Sequence, residues 1–179
     1  MSGRAAVFLD RDGVLNEAPV VDGVPRAPSR PEDVRLLADA RAGAAALRAA
    51  GFVLIGVTNQ PEIARGRIRA EDVARINDGL VAELGLAEIA VCPHDDADGC
   101  DCRKPRPGLT LRAAERHGID LSRSFTVGDR WRDVEAGRNA GTRTVFVDRD
   151  YDEALTVSPD ATAGGLQEAS EWIVRQLRP

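Results

Sequence analysis

Short, continuous apolar runs alternate along the chain with stretches in which apolar residues recur at helical spacing. The runs at 5–9 and 52–57 consist mainly of aliphatic and aromatic residues, as expected of strands covered on both faces. Between them, an apolar stripe of helical spacing is formed by Leu37, Ala40, Ala44 and Leu47. The pattern predicts a strand, an amphipathic helix and a second strand in the first third of the chain.

The same alternation continues to the end of the sequence. Apolar runs predict strands at 89–92, 125–127 and 144–147. Helices are predicted at 73–84, at 109–117, through 138 and at 166–177, and aperiodic loops at 18–31 and 158–165. Strands that alternate with helices are typical of a parallel sheet with helices on both faces. We therefore predict one α/β domain over residues 1–179, built as a three-layer sandwich.

Composition and charge narrow the classes of partner. A chain of 179 residues supports one domain with a sizeable core, and its net charge of −5 argues against nucleic acid as the main partner. No apolar stretch reaches the length of a membrane span, and the first apolar run meets Asp10 too early for a secretory signal. We expect a cytoplasmic protein that binds neither membranes nor nucleic acid.

Two carboxylates, those of Asp10 and Asp12, follow the first predicted strand directly. A bare carboxylate is costly to bury unless a metal or another partner compensates its charge. At the carboxyl end of a parallel strand, however, both side chains would project into the crevice where such sheets bind ligands, and Gly13 would let the chain turn away. The pair indicates magnesium-dependent phosphoryl chemistry, and the alternative is an ordinary Asp-Gly turn.

Three further segments carry residues suited to phosphate near predicted strand ends. Thr58 follows the strand at 52–57, Asp129 follows the strand at 125–127 with Asp133 four positions later, and Lys104 precedes the third helix. A hydroxyl, a fixed cation and acidic oxygens for a hard metal ion are the groups that a metal-bound phosphate needs. Each residue alone could be a surface or strand-end group, but together they favour a phosphate site.

In this order the motifs resemble those of the haloacid dehalogenase-like (HAD) phosphatases. The resemblance rests on Asp10-x-Asp12-Gly13, Thr58, Lys104 and Gly128-Asp129 with Asp133. Segments 8–16, 57–66 and 92–105 are similar to the branch that contains the heptose 1,7-bisphosphate and histidinol-phosphate phosphatases. The resemblance implies a Rossmann-like fold of the HAD type. The intervals of roughly 45 residues between motifs are already filled by predicted elements, so we expect no large cap domain.

The resemblance also implies a role for each residue. Asp10 would attack phosphorus and form an aspartyl-phosphate, and Asp12 would protonate the leaving oxygen and later deprotonate water. Mg²⁺ would be held by Asp10, by the main-chain carbonyl of Asp12 and by Asp129. Phosphate contacts would come from Thr58, Asn59, Gln60, Arg103, Lys104 and Arg130. Asp133 would support the site by orienting Lys104 or the waters of the metal.

All three cysteines lie in one short segment with one of the two histidines. Cys92, His94, Cys100 and Cys102 form a C-x-H-x5-C-x-C pattern. Three thiolates and an imidazole would complete a tetrahedral Zn²⁺ shell without an open position, which is typical of structural zinc. The alternative is three unrelated cysteines beside a histidine. Because this loop runs directly into Lys104, we expect zinc to fix the position of that lysine.

Substrate selection is expected to depend on the loops at 17–30, 59–66 and 92–104. Arg65, Arg103 and Arg130 are candidates to bind a second anionic group, since a guanidinium binds phosphate bidentately. We predict a monomeric phosphatase of a small phosphorylated metabolite, a sugar bisphosphate such as heptose 1,7-bisphosphate, with histidinol phosphate as the alternative. A nucleic-acid end phosphatase and a non-enzymatic zinc-binding module fit the sequence less well. Two segments, Pro61-Glu62 and 17–30, differ from the pattern of the branch.

Overall fold

The computed structural model describes residues 3–21 and 24–177. Its strands are β1 (Ala6–Leu9), β2 (Val20–Val21), β3 (Val24–Pro25), β4 (Val53–Asn59), β5 (Glu88–Cys92), β6 (Phe125–Gly128), β7 (Arg143–Val147) and β8 (Ala161–Ala163). Its helices are α1 (Ala40–Ala49), α2 (Ala70–Leu84), α3 (Gly108–His117), α4 (Trp131–Ala140) and α5 (Leu166–Arg175). Six strands form one parallel sheet, and β2 and β3 form a separate antiparallel hairpin.

The order of strands in the sheet is β5-β4-β1-β6-β7-β8. Strand β1 is central, with Leu9 in register with Gly56 of β4 on one side and with Val127 of β6 on the other. After β1, the chain adds β4 and β5 on one side of it. It then returns to the other side of β1 and adds β6, β7 and β8. Open parallel sheets bind ligands beyond the strand ends where the winding reverses, which here is beside the end of β1.

Alternate residues of β1 belong to two different cores. Val7 and Leu9 pack among residues that include those of α1 and α5, whereas Ala6 and Phe8 pack among residues that include those of α3. Successive side chains of a strand point to opposite faces, so a strand covered on both sides must be apolar throughout. This explains the continuous apolar run, and the two cores establish the predicted three-layer arrangement.

The predicted elements are present, with differences at two loops and one helix end. The stretch 158–165 was predicted as a loop but contains β8, which has only three residues and therefore no periodic signal. The predicted loop 18–31 contains the β2–β3 hairpin, although positions 22 and 23 lie outside the described residues. The last helix ends at Arg175, and Leu177 beyond it is half exposed instead of continuing the buried stripe.

The predicted fold class is confirmed: a single α/β domain around a central parallel sheet. The described part of the interval between Gly13 and Thr58 holds the hairpin, one 3₁₀ turn, α1 and most of β4, and no separate cap domain. Over the same described ranges, no helix combines the length and apolar character that a membrane crossing requires. The domain extent of 1–179 stays a prediction, because the first two and last two residues are not described.

Candidate active site

A cavity of about 480 Å³ opens at the carboxyl ends of β1, β4 and β6. Asp10 follows β1, Thr58 is the penultimate residue of β4, and Asp129 follows β6. Because these strands are neighbours and parallel, their three polar side chains converge at one edge of the sheet. The volume is in the range of small-molecule sites. The cavity wall also includes Asp12, Asn59, Gln60, Arg103, Lys104, Arg130 and Asp133.

Lys104 is buried between two carboxylates. Its ammonium donates a hydrogen bond to Oδ1 of Asp10 at 2.6 Å and lies 2.5 Å from Oδ1 of Asp133. Burial alone would lower the pKa of Lys104, but the charges of Asp10 and Asp133 outweigh burial and raise it. Burial also raises the pKa of Asp10 to about 6, even though Lys104 opposes that shift. The lysine is therefore firmly cationic, and Asp10 still lacks part of the positive charge it needs.

Asp129 has more negative charge around it than the protein neutralises. Its Oδ1 is buried and has no hydrogen-bond partner. Asp10, Asp129 and Asp133 each offer an oxygen within 4.8 Å of the others. Burial, followed by the charges of Asp10 and Asp133, raises the pKa of Asp129 well above its ordinary value. Three buried carboxylates beside one lysine leave a negative excess and oxygen ligands, and both fit a hard cation such as Mg²⁺.

Gly13 permits the close approach of Asp129 to the first loop. Its φ is +91°, in the region that favours glycine, and a Cβ at this position would overlap the Asp129 carboxylate. Its carbonyl accepts a hydrogen bond of 2.8 Å from Nε of Arg149. A side chain at this position would therefore strain the backbone and displace the carboxylate suited to the metal.

The main chain of Lys104 is clamped by Asn59. Nδ2 of Asn59 donates to the Lys104 carbonyl at 3.2 Å, and Oδ1 of Asn59 accepts from the Lys104 amide at 3.1 Å. The ammonium also donates to the carbonyl of Val57 at 2.9 Å. Asn59 was predicted as a phosphate contact; it lines the cavity, and its side chain holds the main chain of the lysine. It fixes the lysine in position relative to β4.

Asp12 lies at the cavity wall with donors on both carboxylate oxygens. Arg11 Nη2 donates to Oδ2 at 2.9 Å, Gln60 Nε2 donates to Oδ2 at 2.7 Å, and Asn16 Nδ2 donates to Oδ1 at 2.9 Å. The Gln60 amide also donates to the Thr58 hydroxyl at 2.9 Å. Gln60 was predicted as a phosphate contact, and the structure shows it joining Asp12 to Thr58. Gln60 thereby fixes the position of the Asp12 carboxylate relative to the Thr58 hydroxyl.

The arginines predicted for a second anion reach the cavity but are paired with acids. Arg65 contacts Asp95 at 2.6 Å and Glu62 at 2.6 Å, and Arg103 contacts Asp96 at 2.8 Å. Nε of Arg130 donates to Glu153 at 2.6 Å. Arg67 and Arg132 also line the cavity. The cavity rim is thus rich in guanidinium groups whose directions are set by neighbouring carboxylates.

The predicted zinc ligands converge on one point. Cys102 Sγ lies 3.2 Å from Cys92 Sγ and 3.4 Å from Cys100 Sγ, and Cys92 Sγ lies 3.7 Å from Cys100 Sγ. Nδ1 of His94 lies 3.3 Å from Cys102 Sγ and 3.6 Å from Cys92 Sγ. A tetrahedral Zn²⁺ with Zn–S bonds of about 2.3 Å has ligand-to-ligand edges of about 3.5–3.8 Å. The five separations, 3.2–3.7 Å, are at or slightly below these edges, so the four atoms lie close enough together to ligate one ion.

The zinc loop is tied to the segment that carries Lys104. Arg103 binds Asp96 through Nε and Nη2, and its Nη1 donates to the His94 carbonyl at 3.3 Å. Nη1 of Arg132 bridges Asp96 at 3.1 Å and the Lys104 carbonyl at 3.4 Å. Displacement of the loop would therefore move the lysine through its neighbour Arg103 and through Arg132.

Sequence reasoning missed several residues that complete the site. The Tyr151 hydroxyl lies beside the Asp129 carboxylate at Gly13, and burial, followed by the charge of Asp129, raises the pKa of that hydroxyl. The Tyr151 ring lies under Arg130, whose Cζ is 5.7 Å from the ring centre. Nothing in the pattern around Tyr151 marks it. Asn77 contacts Arg11, and here a signal existed: it lies four residues after Val73, on the apolar face of α2, where a polar residue is unusual.

This sheet, with Asp10-x-Asp12 at the end of its central strand and with Thr58, Lys104 and Asp129 beside it, has the architecture of the HAD-like phosphatases. The HAD-hydrolase-like family model matches residues 101–169. A crystal structure of D,D-heptose 1,7-bisphosphate phosphatase from B. bronchiseptica, complexed with magnesium and phosphate, superposes with a TM-score of 0.81. It is 28% identical, over 96% of this chain and 99% of that one.

Curated relatives narrow the class. A D-glycero-beta-D-manno-heptose-1,7-bisphosphate 7-phosphatase from Pseudomonas aeruginosa is 38% identical over 80% of this chain and 81% of its own length. A D-glycero-alpha-D-manno-heptose-1,7-bisphosphate 7-phosphatase from Campylobacter jejuni is 32% identical over 79% of this chain and 81% of its own length. The chain belongs to the family of heptose-1,7-bisphosphate 7-phosphatases and is a phosphoric monoester hydrolase.

Proposed function

We propose that this enzyme removes one phosphate from a sugar bisphosphate, specifically the 7-phosphate of a D-glycero-D-manno-heptose 1,7-bisphosphate. The observation that carries the proposal is the combination of Asp10, Lys104 and Asp129 at the sheet edge with a rim of arginines on the same cavity. The inner group of charges suits a transferring phosphoryl group, and the rim suits a second one. The names of the relatives support the identity of the sugar.

The residues of the site suggest a two-step displacement. A carboxylate oxygen of Asp10 attacks phosphorus, the bond from phosphorus to the sugar oxygen breaks, and Asp12 transfers its proton to that oxygen. A water molecule then attacks the aspartyl-phosphate and gives its proton to Asp12, and phosphate leaves as the carboxylate of Asp10 is restored. Lys104 and the Thr58 hydroxyl face the transferring oxygens throughout.

Asp10, Asp129 and the main-chain carbonyl of Asp12 are the groups proposed to hold Mg²⁺. The unpartnered Oδ1 of Asp129 and the negative excess of the acid cluster support this assignment. When bound, the ion supplies positive charge to the transferring phosphoryl oxygens and to Asp10. Asp133, which contacts Lys104, would act by keeping that ammonium pointed at Asp10.

The extra carboxylate of Glu62, a departure from the family pattern, does not count against a bisphosphate. Glu62 contacts Arg65 at 2.6 Å and Arg67 at 3.1 Å, so its charge is shared between two guanidinium groups. Arg65 also holds Asp95. Glu62 therefore orients two arginines of the rim, and in the group of Arg65, Arg67, Glu62 and Asp95 the two positive charges balance the two negative ones.

We further propose that Zn²⁺ fills the Cys92, His94, Cys100 and Cys102 cluster, and that the enzyme acts as a cytoplasmic monomer on a free metabolite. Clustering of every cysteine into one metal-binding loop, with none left to pair elsewhere, is typical of proteins kept in a reducing compartment. The net charge of −5 disfavours nucleic-acid substrates.

The test is phosphate release from purified enzyme with Mg²⁺, for the α and β anomers of heptose 1,7-bisphosphate, histidinol phosphate and a phosphorylated oligonucleotide. We expect one heptose anomer to have the highest kcat/KM, by about tenfold or more over histidinol phosphate, because the rim favours a second anion. Asp10→Asn should abolish turnover. Arg41→Gln, far from the cavity on α1, is the matched control and should leave turnover unchanged. Faster turnover of histidinol phosphate than of either bisphosphate would contradict the substrate proposal.

A further inference from the structure

A buried guanidinium lies directly behind the proposed acid–base residue. Arg11 occupies the variable position of the Asp10-x-Asp12 motif and is 0% exposed. Its Nε lies 3.2 Å from Oδ2 and 3.3 Å from Oδ1 of Asp12, and its Nη2 lies 2.9 Å from Oδ2. The contact is therefore a fork against the carboxylate, which fixes the rotation of the carboxylate as well as its position.

This pairing is not the default for adjacent residues. In an extended chain, neighbouring side chains point to opposite faces, so Arg11 and Asp12 should diverge. Here the turn through Gly13 begins at once, and the amides of Leu15 and Asn16 both donate to the Arg11 carbonyl. The loop curls back on itself and places the guanidinium against the next residue in the chain.

The far side of the guanidinium is also occupied. Nη1 of Arg11 donates to Oδ1 of Asn77 at 3.0 Å, and Asn77 is a buried residue of α2. A buried cation is costly unless charge and hydrogen bonds compensate it. Asp12 supplies the charge, and Asn77 supplies a further acceptor. The arrangement anchors the acid–base residue to a helix that otherwise contributes nothing to the cavity wall.

We propose that Arg11, held by Asn77, is a positioning residue that fixes the Asp12 carboxylate toward the leaving oxygen of the substrate. The inference deepens the proposed function and rests on the role of Asp12 given there. Proton transfer to a leaving oxygen requires hydrogen-bond reach, and misplacement by about 1 Å is costly. Asn16 and Gln60 hold single oxygens of Asp12, whereas the fork of Arg11 sets the plane of the carboxylate.

Leaving-group dependence separates this role from a merely structural one. The test compares Arg11→Lys, Arg11→Met, Asn77→Leu and Asp12→Asn in single-turnover experiments with heptose 1,7-bisphosphate and with p-nitrophenyl phosphate. The alkoxide of the sugar needs a proton to depart, and p-nitrophenolate does not. In both Arg11 variants we expect the first turnover of the bisphosphate to slow by on the order of 10²-fold. The first turnover of the aryl ester should stay within about threefold of wild type.

Asn77→Leu should show the same selectivity at smaller amplitude, and Asp12→Asn should show it at the largest. Asn77→Leu also keeps the test valid if the Arg11 variants fail to fold. Arg75→Met, at an exposed arginine of α2 paired with Asp72, is the matched control and should change neither rate. Equal slowing of both esters, or no slowing, would overturn the inference while the proposed function stands. A wild-type enzyme without activity on any ester would contradict both the inference and the proposed function.

Discussion

At the residue scale, the buried charges of the site oppose the stability of the metal-free fold. The folded-state pKa of Asp10 is raised to about 6 from an ordinary value of 3.8. Between these pH values the native state binds more protons at this residue than the unfolded state does. Its contribution to the free energy of unfolding therefore decreases as pH rises through the window of about 4 to 6.

Asp10→Asn should consequently stabilise the metal-free protein above pH 6. The rise in the pKa of Asp10 corresponds to about 3 kcal/mol, which is an upper bound because the substitution also removes one of the two carboxylates that compensate the buried Lys104 ammonium. The measurement is denaturant unfolding in chelator at pH 5 and pH 8. The gain should be larger at pH 8, and added Mg²⁺ should stabilise wild type far more than the variant. Destabilisation of the variant at pH 8 would show that Asp10 is already compensated by the protein.

At the scale of elements, the zinc loop and Asn59 hold Lys104 from two sides. The loop is connected to the lysine through Arg103 and Arg132, and Asn59 clamps its peptide from β4. Because Asn59 remains when the metal leaves, zinc loss should displace the lysine without releasing it. Cys100→Ser, or chelation of zinc, is expected to lower kcat by about 10- to 100-fold.

Hydrogen exchange by mass spectrometry provides the structural readout for that prediction. Exchange should accelerate in residues 92–104 and stay unchanged in β1 and β6, the two central strands of the sheet. Ser122→Ala, in a surface turn outside the site, is the control. Unchanged kcat together with faster exchange in the loop would show that Asn59 alone is sufficient to position the lysine.

The segment after β7 forms a strap across the acid cluster. The Tyr151 hydroxyl lies beside Asp129, Arg149 donates to the Gly13 carbonyl, and Glu153 pairs with Arg130. Polar groups that lie against a metal ligand help to set its orientation, and their loss commonly weakens metal affinity. Tyr151→Phe should therefore weaken Mg²⁺ binding by about tenfold, measured by titration calorimetry and by the Mg²⁺ dependence of activity.

Thr156→Val provides the matched control for the strap. Thr156 lies in the same segment, but its hydroxyl contacts Glu135 on the surface. We expect its Mg²⁺ affinity to equal that of wild type. If Tyr151→Phe also bound Mg²⁺ as wild type does, the tyrosine would be a packing residue and the strap would not support the metal.

The sequence was sufficient to predict the strands of the site, but not β8 or the role of Tyr151. The strands that lead to Asp10, Thr58 and Asp129 have four to seven residues within apolar runs of the sequence, so the polar residues at their carboxyl ends could be recognised. Strand β8 has three residues and owes its pairing to β7 and to α5 packed beside it, so no local pattern marks it. Tyr151 reaches Asp129 only through the path of a loop, which depends on tertiary packing.

The arginine rim shows the same limit. Arg65, Arg103 and Arg130 were identifiable as candidates for an anion because they lie in or beside motifs. Their partners Asp95, Asp96 and Glu153 lie up to 30 positions away, and the pairings depend on how loops meet in three dimensions. Only the folded structure shows that carboxylates orient these guanidinium groups.

At the scale of the whole molecule, a net charge of −5 coexists with a cavity rim lined by Arg26, Arg65, Arg67, Arg103, Arg130 and Arg132. A cleft of one charge on a surface of the other concentrates ions of the opposite sign to the cleft, and salt screens this effect. The rim should attract a bisphosphate more strongly than a monophosphate. When one phosphate of a bisphosphate occupies the acid cluster, the other still lies at the rim, whereas a monophosphate leaves the rim without an anion.

Salt should therefore change the KM of a bisphosphate more than that of a monophosphate. Between 0.05 and 0.5 M NaCl, with Mg²⁺ held constant, we expect KM for heptose 1,7-bisphosphate to rise about fivefold and KM for heptose 7-phosphate to rise less than twofold. kcat should hardly change, since the inner charges are buried and poorly screened. Arg132→Gln should reduce the salt dependence for the bisphosphate, and Arg41→Gln should preserve it. Equal salt dependence for both substrates would mean that the rim arginines are fully neutralised by their carboxylate partners, and the second phosphate would then be bound elsewhere.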